Sequence, residues 1–486
     1  MAQQHERTTT HVTTLITTPR TGGRARRASR RAARAAQRQR QDQADPRRPD
    51  GEPVGTSLLP AVGESGPAGL RMYRKFRVPA HQDTSSALAG GYPFLAEGGL
   101  GADGVYVGTD LYSGAAFCFD PWVLYARGLL TAPNMVLAGI VGSGKSALAK
   151  ALTTRSIAFG RRVYVPGDAK GEWTPVARQV GGAAIELGHG LSARLNPLDE
   201  GNRPTNVSDD QWRTQVTARR RDLVGALTET VLGRPLTPVE HTAVDVALRA
   251  TVAGAQVPVL PMVVDRLLAP GPGPDPRLIE DGRMAGHALR RLVAGDLQGL
   301  FDGPSTVRFD PSLPMVSLDL SRVAGNDALL SVLMTCASAW MESALADPSG
   351  GQRWVVYDEG WRLMSQPALL RRMDAQWRLA RHFGLANLLI FHKLSDLDTV
   401  GDAGTAARAL ASSLLANAEV RVIYRQESDQ LGATSAALGL TGTERALLPT
   451  LGVGQGLWRI KEHAYAVTNA LTRAELTVFD TSRRMS

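Results

Sequence analysis

The most constraining stretch of this 486-residue chain lies between positions 134 and 159. An apolar run, NMVLA (134–138), leads into GIVGSGKS (139–146), and the helical pattern KSALAKALTTRSIAF follows. A buried strand, a glycine-rich turn and a helix opening on Lys-Ser form the context in which the P-loop motif acts. Gly139, Gly142 and Gly144 let the backbone amides of the loop, Ser143 included, curl around a β-phosphate. The helix start at Lys145, Ser146 and Ala147 adds a favourable dipole. In this reading Lys145 bridges the β- and γ-phosphates of ATP, and the Ser146 hydroxyl ligates Mg²⁺. Lysine is scarce here, six residues against 49 arginines. Residue frequencies therefore give a chance match only about once in a hundred such chains, before the strand and helix are counted. The segment is a nucleotide site.

A nucleotide site of this kind needs an acidic residue at the end of a second buried strand. RWVVYDEGW (353–361) supplies one, with Asp358 and Glu359 following the apolar run Trp354 to Tyr357. Asp358 is expected to hold Mg²⁺ through water, and Glu359 to polarise the attacking water. A second carboxylate beside the metal ligand favours hydrolysis over transfer to another substrate. Two further segments belong at the same edge. PGDAKGEW (166–173) closes the strand RVYVP and places Asp168 and Glu172 where ligands bind in open α/β sheets. LLIFHKLSDL (388–397) ends its strand at His392, a candidate γ-phosphate sensor. Glu172 is the second candidate base. His189 and His241 lack metal-ligand spacing and read as structural.

Short apolar runs alternate with helical patterns, which indicates an α/β fold with a largely parallel sheet. The expected strands are Asn134–Gly139, Arg162–Gly167, Ala183–Leu187, Met315–Leu320, Trp354–Asp358, Asn387–His392 and Val420–Arg425. Helices are expected at 145–159, 326–346, 367–381, 404–416 and 428–438. Between about 205 and 300 the strands stop. Asp209–Leu232, Pro238–Val252 and Met284–Ala294 read as helices, with a Gly/Pro break at 269–277. The expected organisation is a tail at 1–65, an α/β core at 66–200 and 301–486, and an all-helical insertion at 201–300. No internal repeat is evident.

Charge separates the tail from the rest. Residues 1–50 hold 12 arginines against four acids, whereas the remaining residues carry 43 basic and 42 acidic side chains. With almost no large apolar side chains, the tail cannot offset its ordering entropy, and disorder is expected. Its run RARRASRRAARAAQRQR (24–40) also suits a cationic helix on nucleic acid or anionic lipid, and an organellar transit peptide shares the composition. Cys118 and Cys336 alone exclude a disulfide scaffold or a cysteine zinc site and point to a reducing compartment. The longest apolar run, Leu329 to Met341, is too short to span a bilayer, and no secretory signal opens the chain. A cytoplasmic protein is expected, with attachment to the inner face of the membrane left open.

Taken in order, these segments resemble the HerA–FtsK class of P-loop motors, and within it the ATPases of conjugative type IV secretion systems (the VirB/TraC type). The resemblance runs from YPFL (92–95) and GVYVGTDLYSG (104–114) through the P-loop, GDAKGEW, GGAAIELG (181–188) and RLNPLD (194–199). After the helical stretch it continues through GLFDGPS (299–305), VSLDLS (316–321), DEGW (358–361) and GQGLWRI (454–460). The RLNPLD turn and the FDG segment are more specific than the P-loop or the acidic pair. The family implies a RecA-like core forming a homo-hexamer, with ATP between subunits and an arginine reaching in from a neighbour. Arg378, Arg381, Arg421 and Arg425 are the candidates for that arginine. Family members carry a large N-terminal domain, which a separate membrane-associated polypeptide would supply here. Where the family's sensor is Gln, this chain has His392.

The leading functional expectation is an ATPase that powers assembly of, or transport through, a conjugation-type secretion channel, with membrane-embedded secretion components as partners. A coupling protein or DNA pump of the same superfamily is the alternative, with DNA as partner. A nucleotide-binding scaffold with negligible turnover is the third reading, against which Glu359 argues.

Overall fold

Residues Asn134–Ala138 are buried along their whole length, as are Met315–Asp319, Arg353–Tyr357 and Leu385–Phe391. Strands without a wet face must be covered by helices on both sides. That requirement organises the molecule. The computed structural model describes residues 99–479 except 189, 202, 204–206, 270–275, 296–297, 308, 327–328, 338–349, 361–366, 392–405 and 429. All of the described residues lie in one compact unit, Asp83–Ser486.

The strands are β1 Val105–Asp110, β2 Ala116–Phe119, β3 Asn134–Ala138, β4 Arg162–Asp168, β5 Ala183–Glu186 and β6 Met315–Asp319. They continue as β7 Arg353–Tyr357, β8 Leu385–Phe391, β9 Val420–Tyr424, β10 Gln455–Ile460 and β11 His463–Asn469. Together they form one sheet in the order β2-β1-β11-β10-β9-β3-β8-β7-β4-β6-β5. Every neighbouring pair from β9 to β5 is parallel. The extension β10-β11-β1-β2 is antiparallel. The seven expected strands are all present, each within a residue or two of its expected bounds. The four antiparallel strands were not anticipated: β2, AFCF, is only four residues long, and polar and apolar positions mix along the other three.

Helices α1 Pro121–Ala126, α2 Lys145–Ile157 and α3 Thr174–Gln179 fall among the early strands. Four more, α4 Asp209–Leu232, α5 Pro238–Gly254, α6 Leu260–Leu268 and α7 Pro276–Ala294, lie between β5 and β6. Residues 329–337 are also helical, followed by α8 Pro367–Leu379 and α9 Ala406–Ala416. Side chains alternate across the strands. Val136 and Ala138 of β3 join one apolar cluster together with Leu223, Val224 and Leu227 of α4, Leu289 of α7 and Leu370 of α8. Met135 and Leu137 join the opposite cluster, with Leu148 and Leu152 of α2 and Val176 of α3.

Two helical segments depart from the sequence expectation. α6 was not anticipated: Leu260, Val263, Val264 and Leu267 are buried at amphipathic spacing, but the helix is short and carries Pro at its start. α7 begins at Pro276 rather than Met284. Its glycines resemble breaks in the sequence, yet they serve close packing. A Cβ on Gly282 would sit 2.9 Å from that of Ala243, and one on Gly286 would sit 2.8 Å from Leu268. Cys118 and Cys336 are buried free thiols.

Candidate nucleotide site

The carboxyl ends of the parallel strands form one edge. There β3 runs into Gly139, β4 ends on Asp168, β6 ends on Asp319, and β7 is followed by Asp358. Strand β8 lies between β3 and β7. Two inter-strand steps hold the turn after β3 and the acids after β7 about 10 Å apart.

The 139–144 turn is fixed by its backbone. Ile140 N–H donates to the Arg425 carbonyl (3.1 Å), and the Ser143 hydroxyl donates to the Ile140 carbonyl (2.7 Å). Gly454 N–H donates to the Ser143 carbonyl (2.9 Å). Gly144, the N-cap of α2, has φ 103°, in the left-handed region, and a Cβ there would come 3.1 Å from the Gly454 nitrogen. Both the conformation and the close approach require glycine. No side chain caps α2. Its first-turn amides, at Lys145, Ser146 and Ala147, thus present the positive end of the helix dipole at the turn. Lys145 is buried, and its ammonium donates to the carbonyls of Gly139 and Ile140, the latter at 2.8 Å.

At the acidic end, Asp358 is buried and accepts the indole N–H of Trp173 (2.9 Å) and the backbone N–H of Glu359 (3.0 Å). Burial raises its pKa above the ordinary carboxylate range, against the lowering effect of the indole bond, and the nearby Glu359 and Glu172 add to the rise. Glu359 has φ 55°, a left-handed conformation that costs a non-glycine residue about 1–2 kcal/mol. Its carboxylate forms an ion pair with Lys170.

The loop after β4 joins these parts. Asp168 is buried and accepts the backbone N–H groups of Glu172 (3.0 Å), Trp173 (2.7 Å) and Thr174 (3.3 Å). Burial pushes its carboxyl up to about 6; the Trp173 amide opposes the shift, and Asp319 and Asp358 add to it. Asp319 accepts the Thr174 hydroxyl at 2.7 Å. Glu172 pairs at 3.1 Å with Lys150, a fully buried lysine of α2.

The structure therefore brings Gly139, Gly142, Ser143, Gly144, Lys145, Ser146, Ala147, Asp168, Glu172, Asp358 and Glu359 to one sheet edge. His392 and His189 lie outside the described residues. His241 lies on helix α5, 4.0 Å from Glu229. Of the arginine candidates, Arg378 pairs with Asp374 at 2.9 Å. Arg421 donates to the carbonyls of Ala418, Leu438 and Leu415, and burial lowers its pKa, with Arg459 adding to the effect. Arg381 and Arg425 are exposed. Sequence reasoning assigned nothing to Lys150, Lys170, Trp173 or Asp319. The available signal was the scarcity of lysine: three of the six in the chain, Lys145, Lys150 and Lys170, meet here.

No family model matches the sequence, and no curated protein matches it. Solved structures do. VirB4 of Thermoanaerobacter pseudethanolicus superposes with a TM-score of 0.64 at 19% identity, covering 78% of this chain and 99% of that one. The plasmid coupling protein TrwB, in complex with the non-hydrolysable ATP analogue ADPNP, gives 0.51 at 15% identity, covering 77% and 90%. TrwB in complex with ADP and Mg²⁺ gives the same values. The resemblance read from the sequence thus extends to the fold, which this chain shares with VirB4 and TrwB.

Proposed function

We propose that this chain is the ATP-hydrolysing motor of a conjugation-type (type IV) secretion apparatus, driving channel assembly or the transfer of substrate or DNA. One observation carries the reading. A phosphate loop and an adjacent Asp–Glu pair stand on the same sheet edge with a single strand between them, on a fold shared with VirB4 and TrwB.

The residues fit a magnesium–nucleotide complex: an uncapped helix start, a buried lysine beside it, and two buried carboxylates opposite. When bound, Mg²⁺ supplies charge that offsets the phosphate oxygens, with Ser146 as ligand and Asp358 holding it through water. Lys145 exchanges its loop carbonyls for the β- and γ-phosphates, stronger acceptors for a desolvated ammonium. Trp173 keeps Asp358 oriented. Glu359 accepts the proton of the attacking water. Glu172, tied to Lys150, braces the loop and so leaves Glu359 as the base. His392, the residue after β8, is the proposed γ-phosphate sensor.

The working assembly in this reading is a homo-hexamer engaged with membrane-embedded secretion components. No described helix is long and apolar enough to cross a membrane, and the proposed location is the cytoplasmic side of that apparatus. The likeness to the coupling protein TrwB favours a second reading, a motor acting directly on DNA. Steady-state ATP hydrolysis with and without single- and double-stranded DNA separates the two, with Glu359→Gln as the blank. Turnover indifferent to DNA supports the secretion motor. Strong stimulation that is lost at high salt supports the DNA motor. Turnover no greater than the blank rejects both.

A further inference from the structure

The Lys170–Glu359 ion pair is not explained by folding needs. The Lys170 side chain is 51% exposed, while that of Glu359 is only 7% exposed. Pairs with one end in solvent add little to stability. The loop that carries Lys170 is nevertheless held with care. Asp168 fixes its backbone through three N–H groups, Glu172 ties it to Lys150 on the helix that Lys145 opens, and Trp173 ties it to Asp358. Lys170 therefore stands on a support linked both to the phosphate loop's helix and to the acidic strand.

The other partner is equally constrained. Glu359 follows Asp358 directly, in a left-handed backbone conformation that a glutamate adopts only against a cost. Asp358 beside it feels the negative charges of both Glu359 and Glu172, and all three carboxylates act on the Lys170 ammonium. A base must present its oxygen to water within hydrogen-bond reach and in a fixed direction. The ion pair with Lys170 restrains the flexible end of the Glu359 side chain.

We propose that Lys170 is a positioning residue for hydrolysis: its ammonium holds the Glu359 carboxylate inward, aimed at the site of the attacking water. The proposal rests on the reading of Glu359 as the base. Lys170 acts through Glu359 and makes no contribution of its own to phosphate binding, which falls to Lys145 and the amides of α2.

The test is a double-mutant cycle on the full chain: Lys170→Met, Glu359→Gln and the two combined, with Lys170→Arg as a rescue variant. ATP hydrolysis is followed under steady-state conditions and, for slow variants, in single turnover. Lys170→Met is expected to lower kcat about 10–100-fold, within the range for general-base contributions, with KM and ATP affinity changed less than about twofold. Lys170→Arg restores most of the loss, and melting temperatures stay close to wild type. The combined variant is no slower than Glu359→Gln alone, because a positioning residue has nothing left to position. Multiplied losses in the combined variant, or a loss expressed in KM or ATP affinity, overturn the proposal while leaving the base intact. A Glu359→Gln variant that turns over like wild type overturns the underlying reading, and this inference with it.

Discussion

The two ends of the single sheet are built on different principles. From β9 to β5 the strands are parallel, and their carboxyl edge gathers charge: Lys145, Lys150 and Lys170 against Asp168, Glu172, Asp319, Asp358 and Glu359. The antiparallel end is held by aromatic packing. Trp458 of β10 meets Phe117 and Phe119 of β2, both at 5.1 Å between ring centroids, and Tyr465 of β11 lies 5.4 Å from Phe117. The parallel end sets matched charge beside its apolar core, and buried charge opposes folding unless matched; the antiparallel end packs chiefly through rings. The candidate site thus occupies one end of the sheet, and substitutions at the two ends should differ in what they disturb.

The largest effect is expected at the charged end. Lys145→Ala removes the ammonium from the phosphate loop, and ATP binding and turnover should fall by about 10³-fold or more. Nucleotide titration and initial rates provide the measurement, and undiminished affinity would remove the P-loop assignment. At the other end, Trp458→Ala should cost about 3–5 kcal/mol of stability in urea unfolding. Whatever fraction remains folded should bind nucleotide normally. Loss of affinity in proportion to the charged-end variants would break the division.

A third test asks whether the charged edge lowers stability. The folded pKa of Asp168 is raised from 3.8 to about 6. Between those values the folded chain holds a proton that the unfolded chain has released, so its contribution is complete below about pH 4 and is lost as pH rises through 6. The swing is at most about 3 kcal/mol. Urea unfolding of wild type and Asp168→Asn across pH 4 to 7 should show a shallower slope in the variant, the remainder coming from other raised carboxyls such as Asp358. The smallest effect is expected for Trp173→Phe, which keeps the ring but removes the N–H from Asp358. Leaving a buried acceptor short of a partner costs about 1–3 kcal/mol. Turnover should drop about tenfold, with the melting temperature lowered by only a few degrees.

The same division explains what the sequence made legible. Several of the parallel strands are covered on both faces and are continuous apolar runs, and all seven could be read from the order of apolar residues. α4 was found with its observed bounds because both ends carry local chemistry: Ser208 and Gln211 form a capping box, and Gly233 closes the helix in the left-handed conformation. Apart from the four-residue β2, the antiparallel strands lack such a signal. β11, HAYAVTN, buries only Ala466 and Val467 fully, and its identity comes from pairing with β10 and β1. At the site, the loop and the acidic pair were legible because each is a local motif. The partners that hold them were not: Trp173 reaches Asp358 across 185 residues, and Lys150 reaches Glu172 across 22. Separation of that kind leaves no periodicity in the sequence.

The bond from Gly454 N–H to the Ser143 carbonyl has a mechanical consequence. Asn469 N–H donates to the Gly454 carbonyl at 2.8 Å, and Asn469 is paired with Gly108 of β1. The phosphate loop is thereby hitched to the far flank of the sheet through a short, stiff linkage with no flexible side chain in it. A load on the outer hairpin would arrive at the 139–144 turn as displacement, and a push on that turn would travel outward along the same rail.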